Sequence, residues 1–148
     1  MPRYGKGTGG PWYGEDRQRI LFERGARARF PGIRCETLRP GGGRVYRLTV
    51  EVPHFDNRLV QISFRKKTPS VPRITADGPS ASPHRYADND RCVWEPDDPE
   101  DRRWVVADGL LELIGLIMCN LFREAYWRLT GEWVGPEAAH GQEVKRAV

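Results

Sequence analysis

From Tyr46 to Glu51 apolar and polar side chains alternate, with Tyr46, Leu48 and Val50 on one side and Arg47, Thr49 and Glu51 on the other. A period of two belongs to a strand whose sheet buries one face only. This run, Tyr46 to Val52, is flanked by two more extended runs, Ile33 to Leu38 and Leu59 to Phe64, and Pro40-Gly41-Gly42-Gly43 and His54 to Asn57 separate the three. The separators have turn chemistry, so the runs read as antiparallel strands in a meander. Pro69, Pro72, Pro79 and Pro83 punctuate the next stretch. Proline cannot donate to a ladder, which leaves room for one short fourth strand around Arg73 to Thr75 and then loop as far as Trp104.

Helical periods bracket this meander. From Glu15 to Phe30, Glu15/Arg19 and Glu23/Arg27 stand at i,i+4 spacing and Ile20, Leu21 and Ala28 supply an apolar stripe, until Pro31-Gly32 stops the helix. From Asp108 to Leu129, Leu110, Leu113, Ile114, Ile117, Leu121, Ala125 and Leu129 recur at helical spacing, with Gly131 as the C-terminal cap. A sheet with one apolar face needs a cover, and this helix is the candidate. The fold class that follows is α+β: N-terminal helix, four-stranded antiparallel meander, long loop, covering C-terminal helix. Residues 1–14, rich in Gly, read as a flexible arm whose end Trp12 and Tyr13 pin. Residues 15–140 read as one domain, and 141–148 as a polar tail.

A chain of 148 residues suffices for one core without staples. Its three cysteines, Cys35, Cys92 and Cys119, are an odd number at irregular spacings, which suits neither a disulfide framework nor a zinc knuckle and points to a reducing compartment. The opening residues do not resemble an export leader, and the longest apolar stretch, Leu110 to Leu121, is interrupted by Glu112 and Asn120. The expectation is a cytoplasmic protein with no membrane span. The net charge of +4 is uneven, because residues 1–34 carry 8 Arg or Lys against 3 acids, leaving 16 against 17 in the rest. An N-terminal basic segment suits nucleic acid, an anionic membrane or an acidic protein surface alike, and the charge does not choose among them; a nucleic-acid module would rest on this cluster and on Trp12, Tyr13 and Tyr46, but no recognised motif accompanies them.

The expected loop contains His84-Arg85-Tyr86-Ala87-Asp88-Asn89-Asp90-Arg91-Cys92-Val93-Trp94. A free thiol ionises near pH 8.5 (about) and a neighbouring cation lowers that, so His84 or Arg91 would favour the Cys92 thiolate, whereas Asp88 and Asp90 would oppose it. Cys119, within the apolar helical run, reads as core, and Cys35 as core or an incidental thiol. A metal site built from His84, Cys92 and His140 would match no zinc spacing.

The order of elements carries a resemblance, and local residues agree with it. Lys67-Thr68-Pro69-Ser70-Val71-Pro72-Arg73-Ile74 looks like a proline-containing approach to the last strand, His84 stands where a His-Pro-Asn motif would begin, and Cys92 then Trp104 follow. The closing segment, Trp127-Arg128-Leu129-Thr130-Gly131-Glu132-Trp133-Val134-Gly135-Pro136-Glu137-Ala138-Ala139-His140, has a similar succession of Trp, Gly, Pro, Glu, Ala and His. Together these resemble the ubiquitin-conjugating enzyme family, in particular its bacterial branch associated with ubiquitin-like conjugation or anti-phage defence operons, over about residues 15 to 140.

The resemblance implies a ubiquitin-conjugating-enzyme-like fold and a cysteine acyltransferase. Such an enzyme accepts a ubiquitin-like protein, or another protein C-terminus, from an activating enzyme as a thioester on Cys92. It passes the acyl group to an amine of a target protein, which in defence systems of this kind is a nucleotide-second-messenger synthase. No cofactor is implied. The motif's Pro-Asn is replaced by Arg85-Tyr86, so support of the oxyanion falls to Asn89, His84 or His140 as candidates, such donors contributing about 3 kcal/mol. The first helix of the family docks the activating enzyme, which assigns partner binding to Arg17, Arg19 and Arg24. The alternative reading is a non-catalytic member of the fold that binds a ubiquitin-like protein or partner.

Overall fold

A computed structural model describes residues 10–39, 42–79, 81–82 and 104–134. Its centre is the expected meander, a single antiparallel sheet in the order β1-β2-β3-β4, formed by β1 (Arg34–Thr37), β2 (Arg44–Val50), β3 (Arg58–Arg65) and β4 (Thr68–Ala76). Register aligns Cys35, Tyr46, Ile62 and Ile74 across all four strands, and Leu48, Val60 and Ala76 in the next inward row. The intervening row, Arg34, Arg47, Gln61 and Thr75, faces the other way. Strand alternation thus sorts the sequence into one apolar and one polar face, and Tyr46, Leu48 and Val50 are buried as their period predicts.

β4 is longer than the prolines suggested. It lies at the sheet edge, where an outward N–H is outside the ladder and proline costs little, and a register shift between Phe64 and Arg65 eases the strand past Pro69 and Pro72.

The long covering helix, α3 (Leu110–Thr130), follows α1 (Asp16–Glu23) and α2 (Ala26–Arg29) in the chain. Leu110, Leu113, Ile114, Ile117 and Leu121 of α3 join Tyr46, Leu48, Val60, Ile62 and Phe64 of the sheet in one core. Gly131 ends α3 in the left-handed conformation (φ 85°), its N–H donating to the Trp127 carbonyl at 2.7 Å. Just before α3, the buried Trp104 donates its indole N–H to the Gly109 carbonyl at 2.8 Å. Trp12 and Tyr13 are packed against the domain, and residues 1–9 of the expected arm lie outside the described residues. The two aromatics sit in a 3-10 turn, Trp12–Gly14, with the Trp12 ring 4.2 Å from that of Phe22 and its indole N–H donating to the Pro69 carbonyl at 2.6 Å.

Three sequence expectations need correction. The first helix is not continuous from Glu15 to Phe30: it breaks at Arg24-Gly25, where Gly25 takes φ 82°, a region open to glycine but strained for other residues. Its inward face is Phe22, Glu23 and Ala26, whereas Ile20, Leu21 and Ala28 are exposed, because the Phe22 ring docks between Tyr46, Phe64 and Trp104 and so sets the helix phase. Cys119 and Leu129 also lie on the outer side of α3 rather than in the core. No helix among the described residues is long and apolar enough to cross a membrane.

Candidate functional site

The basic surface of α1 is built on helical spacing. Arg17, Ile20 and Leu21 stand at i, i+3 and i+4 on one face of α1, Arg24 follows at the break that ends the helix, and all four are exposed. Two apolar side chains held between two cations make a surface for a partner that offers both an apolar contact and carboxylates. Arg19 differs from its neighbours. Its guanidinium donates to the Tyr13 carbonyl at 2.9 Å and to the Asp16 carboxylate at 2.6 Å, so it ties α1 to the turn before it. Glu15, the expected partner of Arg19, instead accepts a bond from the Gln18 amide at 2.7 Å.

Beneath that surface lies a polar cluster that the sequence reading missed. Glu23 forms its expected pair with Arg27 at 3.1 Å, but its other carboxylate oxygen turns inward, receiving Arg44 at 2.5 Å and the Tyr46 phenol at 2.7 Å. Arg44 also donates to the Tyr46 hydroxyl oxygen at 3.1 Å and to the Thr37 hydroxyl at 2.9 Å. Burial alone would raise the Glu23 carboxyl, but the hydrogen bonds from Arg44 and Tyr46, the Arg44 charge and the bond from Arg27 outweigh it and hold the group below its ordinary range. Burial drives the Tyr46 phenol upward, with the Glu23 hydrogen bond and charge adding to it, so the phenol stays a donor. The cluster is a structural joint between α1 and the β1–β2 hairpin rather than an acid or base for chemistry. Its signal was present in the sequence: Phe22 and Ala26 mark one helix face that includes Glu23, and Arg44 and Tyr46 are two apart on a strand.

Of the two cysteines the structure describes, Cys35 is half-buried and its thiol is pushed up by burial and by the nearby Glu23 charge, against the opposing effect of Arg27 and Arg44. Such a thiol is a poor nucleophile at neutral pH. The predicted catalytic group, Cys92 with His84, Asn89 and His140, lies outside the described residues.

Three carbonyls that precede that group in the sequence, those of Asp77, Pro79 and Ala81, are held by arginines. Arg58, buried, donates to the carbonyls of Asp77 and Pro79, the latter at 3.1 Å, and Arg128 of α3 donates to the Ala81 carbonyl at 3.0 Å. A groove of about 290 Å³ lies beside this path, lined by Phe55, Asp56, Arg58, Pro79, Arg128 and Leu129 among others. A larger one of about 610 Å³ runs between the α2–β1 connection and α3, with Arg29, Phe30, Leu48, Glu51 and Met118 in its walls. Among the described residues no group of three His, Cys, Asp or Glu side chains gathers as a metal site would require.

Comparison with protein-family models, with curated proteins and with solved structures gave no match. The described structure contributes the α+β frame, the α1 surface and the anchored approach to residue 83.

Proposed function

We propose that this protein is a conjugating enzyme of the ubiquitin-conjugating type, carrying a ubiquitin-like protein or another protein C-terminus on Cys92. The reading rests on the succession of an N-terminal helix, four antiparallel strands in sequence order, the segment bearing His84 and Cys92, a buried tryptophan at 104, and a long covering helix. In the proposed reaction the Cys92 thiolate attacks the thioester carbonyl on a charged activating enzyme, whose own thiolate leaves. An amine of the target then attacks the new thioester, Cys92 departs as thiolate, and the amine's proton passes to solvent. ATP is consumed by the activating enzyme alone. Asn89, His84 and His140 are the candidates to support the oxyanion.

The face of Arg17, Ile20, Leu21 and Arg24 suits the activating enzyme as a docking surface, since it combines exposed apolar contact with positive charge. A second reading, a non-catalytic binding module of the same fold, is favoured by Arg85-Tyr86 standing where the family has Pro-Asn. Non-reducing mass spectrometry of wild type and Cys92→Ala, incubated with the activating enzyme, candidate modifier and ATP of the same operon, separates the two. An adduct on wild type that thiol reductant removes and the variant lacks supports conjugation. A charged activating enzyme with no transfer to wild type sinks it in favour of the binding module.

A further inference from the structure

Helix α3 is apolar on more than the face it buries. Leu110, Leu113, Ile114, Ile117 and Leu121 turn into the core. A second row, Leu111, Gly115, Met118, Phe122, Ala125 and Leu129, runs down the helix in alternating steps of four and three residues, the spacing of a helix–helix seam. Much of this row meets solvent: Leu111 is 40% exposed and Leu129 72%, and Met118 and Phe122 are half-buried. Cys119, also exposed, lies beside it. At Gly115 a Cβ would meet no atom within 4 Å, which leaves an open notch in the middle of the row. Ala125 is buried and the Phe122 ring lies 5.8 Å from that of Phe55, so the chain itself covers the inner edge of the row; among the described residues its outer edge, with Leu111, Gly115, Cys119 and Leu129, is left to solvent.

We propose that the outer face of α3 is the interface of a homodimer, in which α3 packs antiparallel against α3 of a second copy and crosses it beside Met118 and Cys119. The row is self-complementary in shape. Gly115 and Phe122 lie equally far on either side of that crossing, so an antiparallel copy sets each bulky ring against the notch of the other chain. The row is self-complementary in charge as well. Glu112 and Arg123 stand along the same margin, toward opposite ends of the helix, so the same arrangement carries Glu112 of each chain toward the partner's Arg123. A parallel pair would oppose ring to ring and carboxylate to carboxylate. A second copy is the one partner that brings the matching bulk, notch and charges through a single two-fold axis. The helix, about 30 Å long at 1.5 Å per residue, offers the row over its whole length.

The test is sedimentation equilibrium of the full chain from roughly 1 to 100 µM, the range in which a dimer of ordinary affinity titrates. It is paired with bismaleimide crosslinking of the unmodified chain and peptide mapping of the link. A dimer whose crosslink joins Cys119 to Cys119 is expected, with Glu112→Arg and Arg123→Glu each weakening association by roughly tenfold and the double reversal recovering most of the loss. A monomer at every concentration overturns the proposal. So does a dimer linked through other cysteines, or a monomer whose α3 face is protected only by a different protein. The crosslink is read on the native chain and decides the matter even where a charge variant fails to fold.

Discussion

Tyr46 on β2 donates its phenol proton to Glu23 on α1, 2.7 Å away, across a sequence separation that brings the first helix onto the second strand. Glu23 and Arg44 expose only 6% and 8% of their side chains, so this carboxylate is solvated by protein rather than by water. Removing one partner of such a pair leaves the other charge buried without compensation, which costs about 3–5 kcal/mol. Glu23→Ala is therefore expected to lower stability by that much, as a reduced urea midpoint with little change in slope. Tyr46→Phe, which deletes one hydrogen bond to a charged group, is expected to cost about 1.5–3 kcal/mol. An effect of Glu23→Ala no larger than that of an exposed acid such as Asp16→Ala would refute the buried-joint reading.

The same carboxyl gives a signed pH dependence. Its folded pKa lies below the unfolded value of about 4.3, held there by Arg44, Tyr46 and Arg27 against the effect of burial. A depressed carboxyl contributes stability that is fully present above the unfolded pKa and is lost as pH falls through the folded one. Wild type is thus expected to lose stability below about pH 4 more steeply than Glu23→Gln, whose side chain does not titrate. Denaturant midpoints at intervals from neutral to acid pH check this, and parallel curves for the two proteins would exclude Glu23 as the group responsible.

Two glycines should respond to alanine with opposite sign. Gly25 holds the break between α1 and α2 at φ 82°, and a Cβ there would approach the Leu111 side chain to 3.2 Å. Gly25→Ala is expected to destabilise by about 1–2 kcal/mol through left-handed strain alone. Gly115 lies in the middle of α3, where a Cβ meets nothing within 4 Å in its own chain, so Gly115→Ala is expected to stabilise the monomer by about 1 kcal/mol through helix propensity, while filling the notch that the proposed dimer uses. Thermal melts of the two variants at a low protein concentration, where the monomer prevails, read both signs.

How far the sequence could be read depended on which interactions set each element. The β2 alternation is local and survives folding unchanged, and the apolar period of α3 locates the covering helix to within two residues. The phase of α1 was not local. Ile20 and Leu21 look like the inner stripe until the aromatic group of Trp12, Phe22, Phe64 and Trp104 claims the other side. The prolines of β4 read as strand breakers, which they are not at an edge. Cys119 reads as core because it lies within the apolar run of α3, but it stands off the inward stripe of Leu113, Ile114, Ile117 and Leu121 and is exposed. Of the candidate site, Arg17 and Arg19 of α1 and Arg24 just after it are described, and only the contacts of Arg19 could separate a structural brace from a docking residue.

That separation yields the last prediction. Arg17 and Arg24 are exposed around Ile20 and Leu21, whereas Arg19 grips the Tyr13 carbonyl and Asp16. Surface cations mainly alter association rate and its salt dependence. Arg17→Glu with Arg24→Glu should accordingly slow thioester loading from the activating enzyme by roughly tenfold at low salt, with the melting temperature unchanged and the defect shrinking as screening lowers the wild-type rate. Arg19→Glu should behave differently. It breaks the tie between α1 and the Trp12–Gly14 turn, so its first effect is a lower melting temperature that salt does not restore. The measurements are single-turnover loading rates at two salt concentrations and a thermal melt for each variant. If the double variant loads at the wild-type rate at low salt, α1 is not the surface the activating enzyme uses. If Arg19→Glu leaves the melt untouched while loading falls, Arg19 belongs to the docking surface rather than to the brace.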